Sequence, residues 1–318
     1  MQSSKLHYEN LFLKIGEKMR LGILVVYLVS TEDEKLLDIH LNQIHKNTKA
    51  DYKIYANVNM LLPKFIQKLE NNSNVKICKS NDYVGPNDGL RSTHELAFYA
   101  EKLIKESIKD GVSHVVIMHP DSFPIKVGWE KILAKYISKS TVMVSKLPEM
   151  SACFFFNRSF YLKYNPQLIS TKVEIKSSIY KQFLKDIGGI DLLEPGMGYA
   201  FLIYKKKLQW KSLNRSNKGE DHYFYGSIFE DLIFHLGAAS HENRGFYNYE
   251  EKRTKYHKIK VIGKFLPPVI KERIKTSILQ SFIRPEIKVH QQSYLTVRKR
   301  LYADSDSYIE FLRNGSEK

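Results

Sequence analysis

Two side chains capable of metal-ligand and acid–base chemistry stand two positions apart in the segment HVVIMHPDSFPI, residues 114–125: His119 and Asp121. They follow the apolar run Val115–Met118, which reads as a buried strand that ends where they begin. Alternate residues of an extended chain point the same way, so the pair is expected to face one site, with Pro120 and Pro124 stiffening the turn. A carboxylate beside an imidazole can hold a divalent cation that acts as a Lewis acid on an oxyanion. The competing reading makes Asp121 the cap of a helix starting near Val127. His235 sits in the apolar stretch FEDLIFHL just before Gly237, where the plain reading is a hydrogen-bonded core histidine. Asp191 and Glu194 precede the Gly196-Met197-Gly198-Tyr199 segment and are candidates for a general base taking the proton of an attacking hydroxyl, against a reading as solvated acids of a surface turn. Arg91, at the end of the turn-rich stretch SNDYVGPNDGLR, offers a planar fork of donors to a phosphate. Ordinary solvation is the alternative for it and for Asp82 and Asp88.

These residues need elements to hold them. Leu21–Val29 is apolar apart from Gly22 and stops at Ser30-Thr31-Glu32-Asp33, the pattern of a strand buried on both faces. Leu36, Leu37, Ile39, Leu41 and Ile44 then fall at helical spacing, with Thr31 or Asp33 as the cap. Strands are expected at 51–58, 74–78, 114–118, 141–145 and 152–156, and helices at 60–69 and 92–109, the latter stopping at Gly111. Alternating strands and helices predict an α/β three-layer sandwich with a mostly parallel sheet, followed by a basic, partly helical tail. Ligands of such sheets sit at the carboxyl ends of the strands. The chain divides into an extension (1–20), two halves (21–146 and 147–250) and the tail (251–318).

The strand–helix order, closing on an apolar strand and an Asp-Ser-Phe-Pro turn, resembles the inverting family 2 glycosyltransferases and their relatives over about residues 21–245. That family's Asp-x-Asp motif, which binds metal and diphosphate, matches His119-Pro120-Asp121, with histidine in place of the first acid. The resemblance implies the A-type fold, a nucleotide-diphosphate sugar as donor, and a divalent cation on Asp121 and His119, Mn²⁺ or Mg²⁺, the imidazole favouring Mn²⁺. Metal-independent transfer is the other reading. It also implies that Ser30, Thr31 and Glu32 cradle the nucleotide and that a histidine such as His235 adds a ligand. Asn57 is a candidate contact to base or ribose, a plain strand-end turn being the alternative. The expected partners are the donor and a glycan or lipid-linked acceptor. A non-catalytic sugar-nucleotide or glycan-binding module of the same fold is the alternative.

The formal net charge of +16 is concentrated near the C-terminus, where residues 251–300 hold 14 Lys/Arg against 3 Asp/Glu. Val269, Ile270, Ile274, Ile278, Leu279, Phe282 and Ile283 recur there at near-helical spacing among lysines and arginines. An anionic membrane surface met through 251–302 is therefore an expected partner, and packing of this helix on the domain is the alternative. Zinc-finger spacing, RNP-like aromatics and heptads are missing from the sequence, so nucleic acid is not expected. No stretch reaches the roughly 20 apolar residues of a membrane span, and residues 1–20 mix charged and apolar positions unlike a signal peptide. A cytoplasmic protein, peripheral on the inner membrane face, is expected. Cys78 and Cys153 lack CxxC spacing and read as small buried hydrophobes.

Overall fold

The computed structural model describes residues 18–28, 33–85, 91–146, 152–187, 194–222, 225–237 and 284–315. In chain order the first part runs β1 (Arg20–Val26), α1 (Glu34–Asn47), β2 (Asp51–Asn57), α2 (Pro63–Glu70), β3 (Val75–Ile77), α3 (Arg91–Lys109), β4 (His114–Met118) and β5 (Ser122–Pro124). It continues through α4 (Trp129–Tyr136), β6 (Thr141–Ser145), β7 (Phe154–Asn157), α5 (Arg158–Tyr164), α6 (Lys172–Lys176), α7 (Ser178–Asp186) and α8 (Met197–Lys205). After β8 (Gln209–Ser212), β9 (Ser227–Phe229) and β10 (Ile233–His235) come two helices, α9 (Arg284–Ala303) and α10 (Ser305–Asn314).

The expected α/β sandwich is what forms. Seven strands make one sheet in the order β3-β2-β1-β4-β7-β6-β8; β1 is parallel to β2 and β4, β2 to β3 and β6 to β8, while β7 runs antiparallel to β4 and β6. β1 shows why a near-continuous apolar run is needed. Leu21, Ile23 and Val25 join one core layer with Leu37, Leu41 and Ile44 of α1, Phe65 and Leu69 of α2 and Trp129 of α4. Leu24 and Val26 join the opposite layer, with Leu103, Ile104 and Ile108 of α3, Phe160 of α5 and Tyr199 of α8. Both faces of the sheet are covered, so every second residue has no solvent-facing alternative.

Several boundaries differ from expectation. α2 starts at Pro63 rather than near 60, because proline fits the first turn of a helix, where its missing N–H costs nothing. Asp33 stands at the N-cap of α1 without a side-chain capping bond. α4 begins after Gly128 in the left-handed region, so Asp121 is not a helix cap. Cys153 is buried, but Cys78 is only half-buried, with burial raising its thiol to about 11. The apolar positions expected as a helix over 269–283 lie outside the described residues.

α8 has an exacting start. Gly196 caps it at φ 102°, and the amides of Gly196 and Gly198 both donate to the Leu168 carbonyl, at 2.8 and 3.1 Å. A Cβ on Gly198 would fall 2.2 Å from the Gln167 carbonyl oxygen, backbone that cannot step aside. Gly198→Ala is accordingly expected to destabilise the fold by about 1–3 kcal/mol, read as a lowered urea midpoint with an unchanged slope.

The chain divides into two compact units. One is Met1–Asn217 with Ser227–His235; the other is Lys218–Gly226 with Leu236–Lys318. In the second, Arg300 pairs with Asp221 at 2.5 Å and lies over the Phe311 ring, while Tyr294, Val297, Leu301, Tyr308 and Leu312 are buried. No helix among the described residues is long and apolar enough to cross a membrane.

Candidate metal centre at the end of β4

The sheet order contains a topological switch. From β1 the chain steps outward to β2 and β3, then returns to place β4 on the other side of β1. Between the carboxyl ends of β1 and β4 the connections diverge in opposite directions, which opens a crevice there. His119 and Asp121 stand at that end of β4.

Their placement does not arise from strand alternation. After Met118 the chain turns, the Ser122 amide donating to the His119 carbonyl at 3.0 Å, and then leaves the large sheet. β5 pairs antiparallel with β10, with Ser122 opposite His235 and Phe123 opposite Phe234. The two phenylalanine rings stack at 4.8 Å, while the next pair along the ladder puts His235 on the alternate face. Local turn and non-local pairing thus bring three side chains together. His235 Nε2 is 3.5 Å from Asp121 Oδ1, and the rings of His119 and His235 meet at 6.0 Å and 67°. One ligand atom from each of His119, Asp121 and His235 lies within 4.8 Å of the others. Ligands about 2.1 Å from one ion stand roughly 3.0–4.2 Å apart, so the side chains must draw together somewhat to share it. Two imidazoles and a carboxylate suit a borderline divalent ion. Asp121 and His235 are buried and His119 is half-buried, so the centre has a dry floor.

Behind this floor lie polar groups that the sequence did not single out. The fully buried Ser122 hydroxyl meets the carbonyls of Phe234, at 3.1 Å, and Ala152. His40 of α1 reaches the Ser122 carbonyl with Nδ1 at 2.8 Å. Burial lowers the His40 ring to about 4, against the opposing pull of the Ser122 carbonyl and the Asp121 charge. The apolar residues flanking His40 at helical spacing, Leu36, Leu37 and Ile44, were the available signal: a histidine on a core stripe requires a partner.

At the end of β2, Asn57 is buried in a polar network. Its Nδ2 donates to Asn59 Oδ1 at 2.9 Å, and Asn59 Nδ2 donates to the Ser80 carbonyl at 2.6 Å and to Asp82 Oδ1 at 3.1 Å. Through Cys78 and Ser80 this network ties the exits of β2 and β3. Glu194 is described just before α8, where its carbonyl accepts from the Met197 amide at 3.2 Å; it is not in the cluster around Asp121. Ser30, Thr31, Glu32 and Asp191 lie outside the described residues, as does the side chain of Arg91, which opens α3.

No protein-family model and no curated relative matches the sequence. Some solved structures are similar to parts of the chain. The chain is similar over 47% of its length to 48% of S. aureus TarS 1-349, solved with UDP-GlcNAc, at 10% identity and a TM-score of 0.33. Mouse xyloside xylosyltransferase 1, in its apo form, is similar over 59% of this chain and 82% of its own, at 8% identity and a TM-score of 0.34. A longer TarS structure covers 84% of this chain but only 44% of its own length, at 13% identity and a TM-score of 0.37. The chain thus spans about half of the TarS structures or less. Likenesses of this size assign no residue a role.

Proposed function

We propose that the chain is a glycosyltransferase that takes a sugar from a nucleotide-diphosphate donor, with inversion, and passes it to a glycan or lipid-linked acceptor. The observation that carries this reading is the His119–Asp121–His235 cluster at the topological switch point of a parallel sheet. The donor set fits a divalent cation, Mn²⁺ before Mg²⁺. When bound, such an ion neutralises charge developing on a departing diphosphate. The protein's part is to hold the carboxylate and both imidazoles on one side of the crevice and to keep water from beneath them.

The remaining assignments follow the strand ends. Asn57, bonded to Asn59, which bonds Ser80, is assigned to the base or ribose of the donor, and Ser30, Thr31 and Glu32 are assigned to the nucleotide. Arg91 is assigned to the diphosphate. The general base is Glu194 or Asp191. Residues 251–302 are the assigned contact to an anionic membrane on the cytoplasmic side.

Calorimetric titration of the full chain with nucleoside diphosphates, with and without Mn²⁺, tests the reading. Mn²⁺-dependent binding supports it, and no binding across the bases overturns it. Turnover of a nucleotide-sugar panel then separates the enzyme from a non-catalytic module, which would bind without transferring. Asn57→Leu removes the buried amide and its bonds to Asn59 and to the exit of β3. It is expected to weaken nucleoside-diphosphate binding roughly tenfold and to lower stability by about 1–3 kcal/mol.

A further inference from the structure

His40 takes no part in the cluster itself, yet it is fully buried and aimed at the turn that carries Asp121. Its Nδ1 lies 2.8 Å from the Ser122 carbonyl oxygen. A carbonyl only accepts, so Nδ1 carries the hydrogen and Nε2 is a bare acceptor. Among the described residues Nε2 has no hydrogen-bond partner, nor has the hydroxyl of Tyr27, whose ring meets His40 edge-on at 5.7 Å and 85°. An unmet acceptor in a dry core is unfavourable, and a leucine of similar size would avoid it. Packing alone therefore does not account for a histidine here; the Nδ1–H does.

That donor closes a set of bonds around one residue. The Ser122 amide is held by His119, its hydroxyl by Phe234 and Ala152, and its carbonyl by His40. Seven residues further along α1, Asn47 Nδ2 donates to the Pro124 carbonyl at 2.9 Å, so α1 grips β5 at two points on one helix face. We propose that His40 is a positioning residue for the metal centre: its Nδ1–H fixes Ser122 and thereby the direction in which the adjoining Asp121 carboxylate points. The inference rests on the metal-site reading above and adds a residue that touches neither metal nor donor.

Asparagine and glutamine separate the donor from the ring. The amide nitrogen of asparagine superposes on Nδ1 of histidine, and that of glutamine on Nε2. Full-length His40→Asn and His40→Gln are compared by Mn²⁺ titration calorimetry and by hydrogen exchange of the amides of residues 119–125. His40→Gln is expected to lose Mn²⁺ affinity by roughly 10–100-fold, with faster exchange across the turn, whereas His40→Asn stays within about threefold on both measures. Wild-type affinity and exchange in His40→Gln overturn the proposal. Equal losses in both variants also overturn it, because the loss then follows ring volume rather than donor position. If the wild type binds no Mn²⁺, the metal reading falls by itself, and the exchange difference between the variants still decides the role of His40.

Discussion

Asp121→Asn is expected to reduce sugar transfer by a factor on the order of 10²–10³ while leaving the fold standing. The side chain keeps its shape and one carbonyl oxygen but loses the negative charge that makes it a cation ligand. The Ser122 bonds to His119, His40, Phe234 and Ala152 do not pass through the Asp121 carboxylate, so the turn stays bonded in the variant. Its contact to His235, at 3.5 Å, is longer than a strong charge-assisted hydrogen bond. The melting temperature is expected to move by no more than a few degrees. Turnover of a nucleotide-sugar panel, measured beside a thermal melt, separates the cases. A purely structural aspartate would give the reverse ranking, a large loss of stability with transfer preserved in the fraction that remains folded.

Acid is expected to unfold this chain through two buried histidines. Burial lowers His40 from 6.5 to about 4, and lowers His114, stacked on Phe155 at 5.4 Å, to the same value. Between those values the unfolded chain binds protons that the folded rings refuse, so the unfolded state gains as pH falls. Stability attributable to these rings is therefore complete above about pH 7, declines from about pH 6.5, and is exhausted near pH 4. Each ring contributes about 3 kcal/mol over that window. Urea midpoints measured from pH 7.5 to 4 would show the fall, and His114→Leu would remove about half of the slope. A midpoint flat across that range would mean that both rings titrate as they do in water.

Elements whose cause is local were legible in the residues. β1 and β4 announce themselves because helices cover both faces, so the positions after Arg20 and His114 are apolar or glycine, and α3 because one of its faces packs on the sheet. The start of α2 departs from the hydrophobic pattern because a proline decides it. A strand exit marks His119 and Asp121 in the sequence, but alternation on an extended chain does not bring them together. A turn and a departure into a second sheet do that work. His235 joins them through a strand pairing that spans more than a hundred residues of sequence, which no local pattern encodes. His40, Ser122 and Asn59 went unread for a related reason. Their value lies in hydrogen bonds to backbone carbonyls, or to polar side chains, contributed by distant segments. Periodicity reports which face is buried and says nothing of what a polar group meets there.

The claim on which the functional reading turns is that two imidazoles and one carboxylate share a single ion. Pulsed electron paramagnetic resonance of the Mn²⁺-loaded full chain reads directly bound nitrogens as ¹⁴N couplings. Two coupled imidazole nitrogens are expected in the wild type, one in His119→Ala and one in His235→Ala, with the bound signal itself lost in Asp121→Ala. Mn²⁺ held with no nitrogen coupling, or with couplings that survive both histidine replacements, would contradict the site.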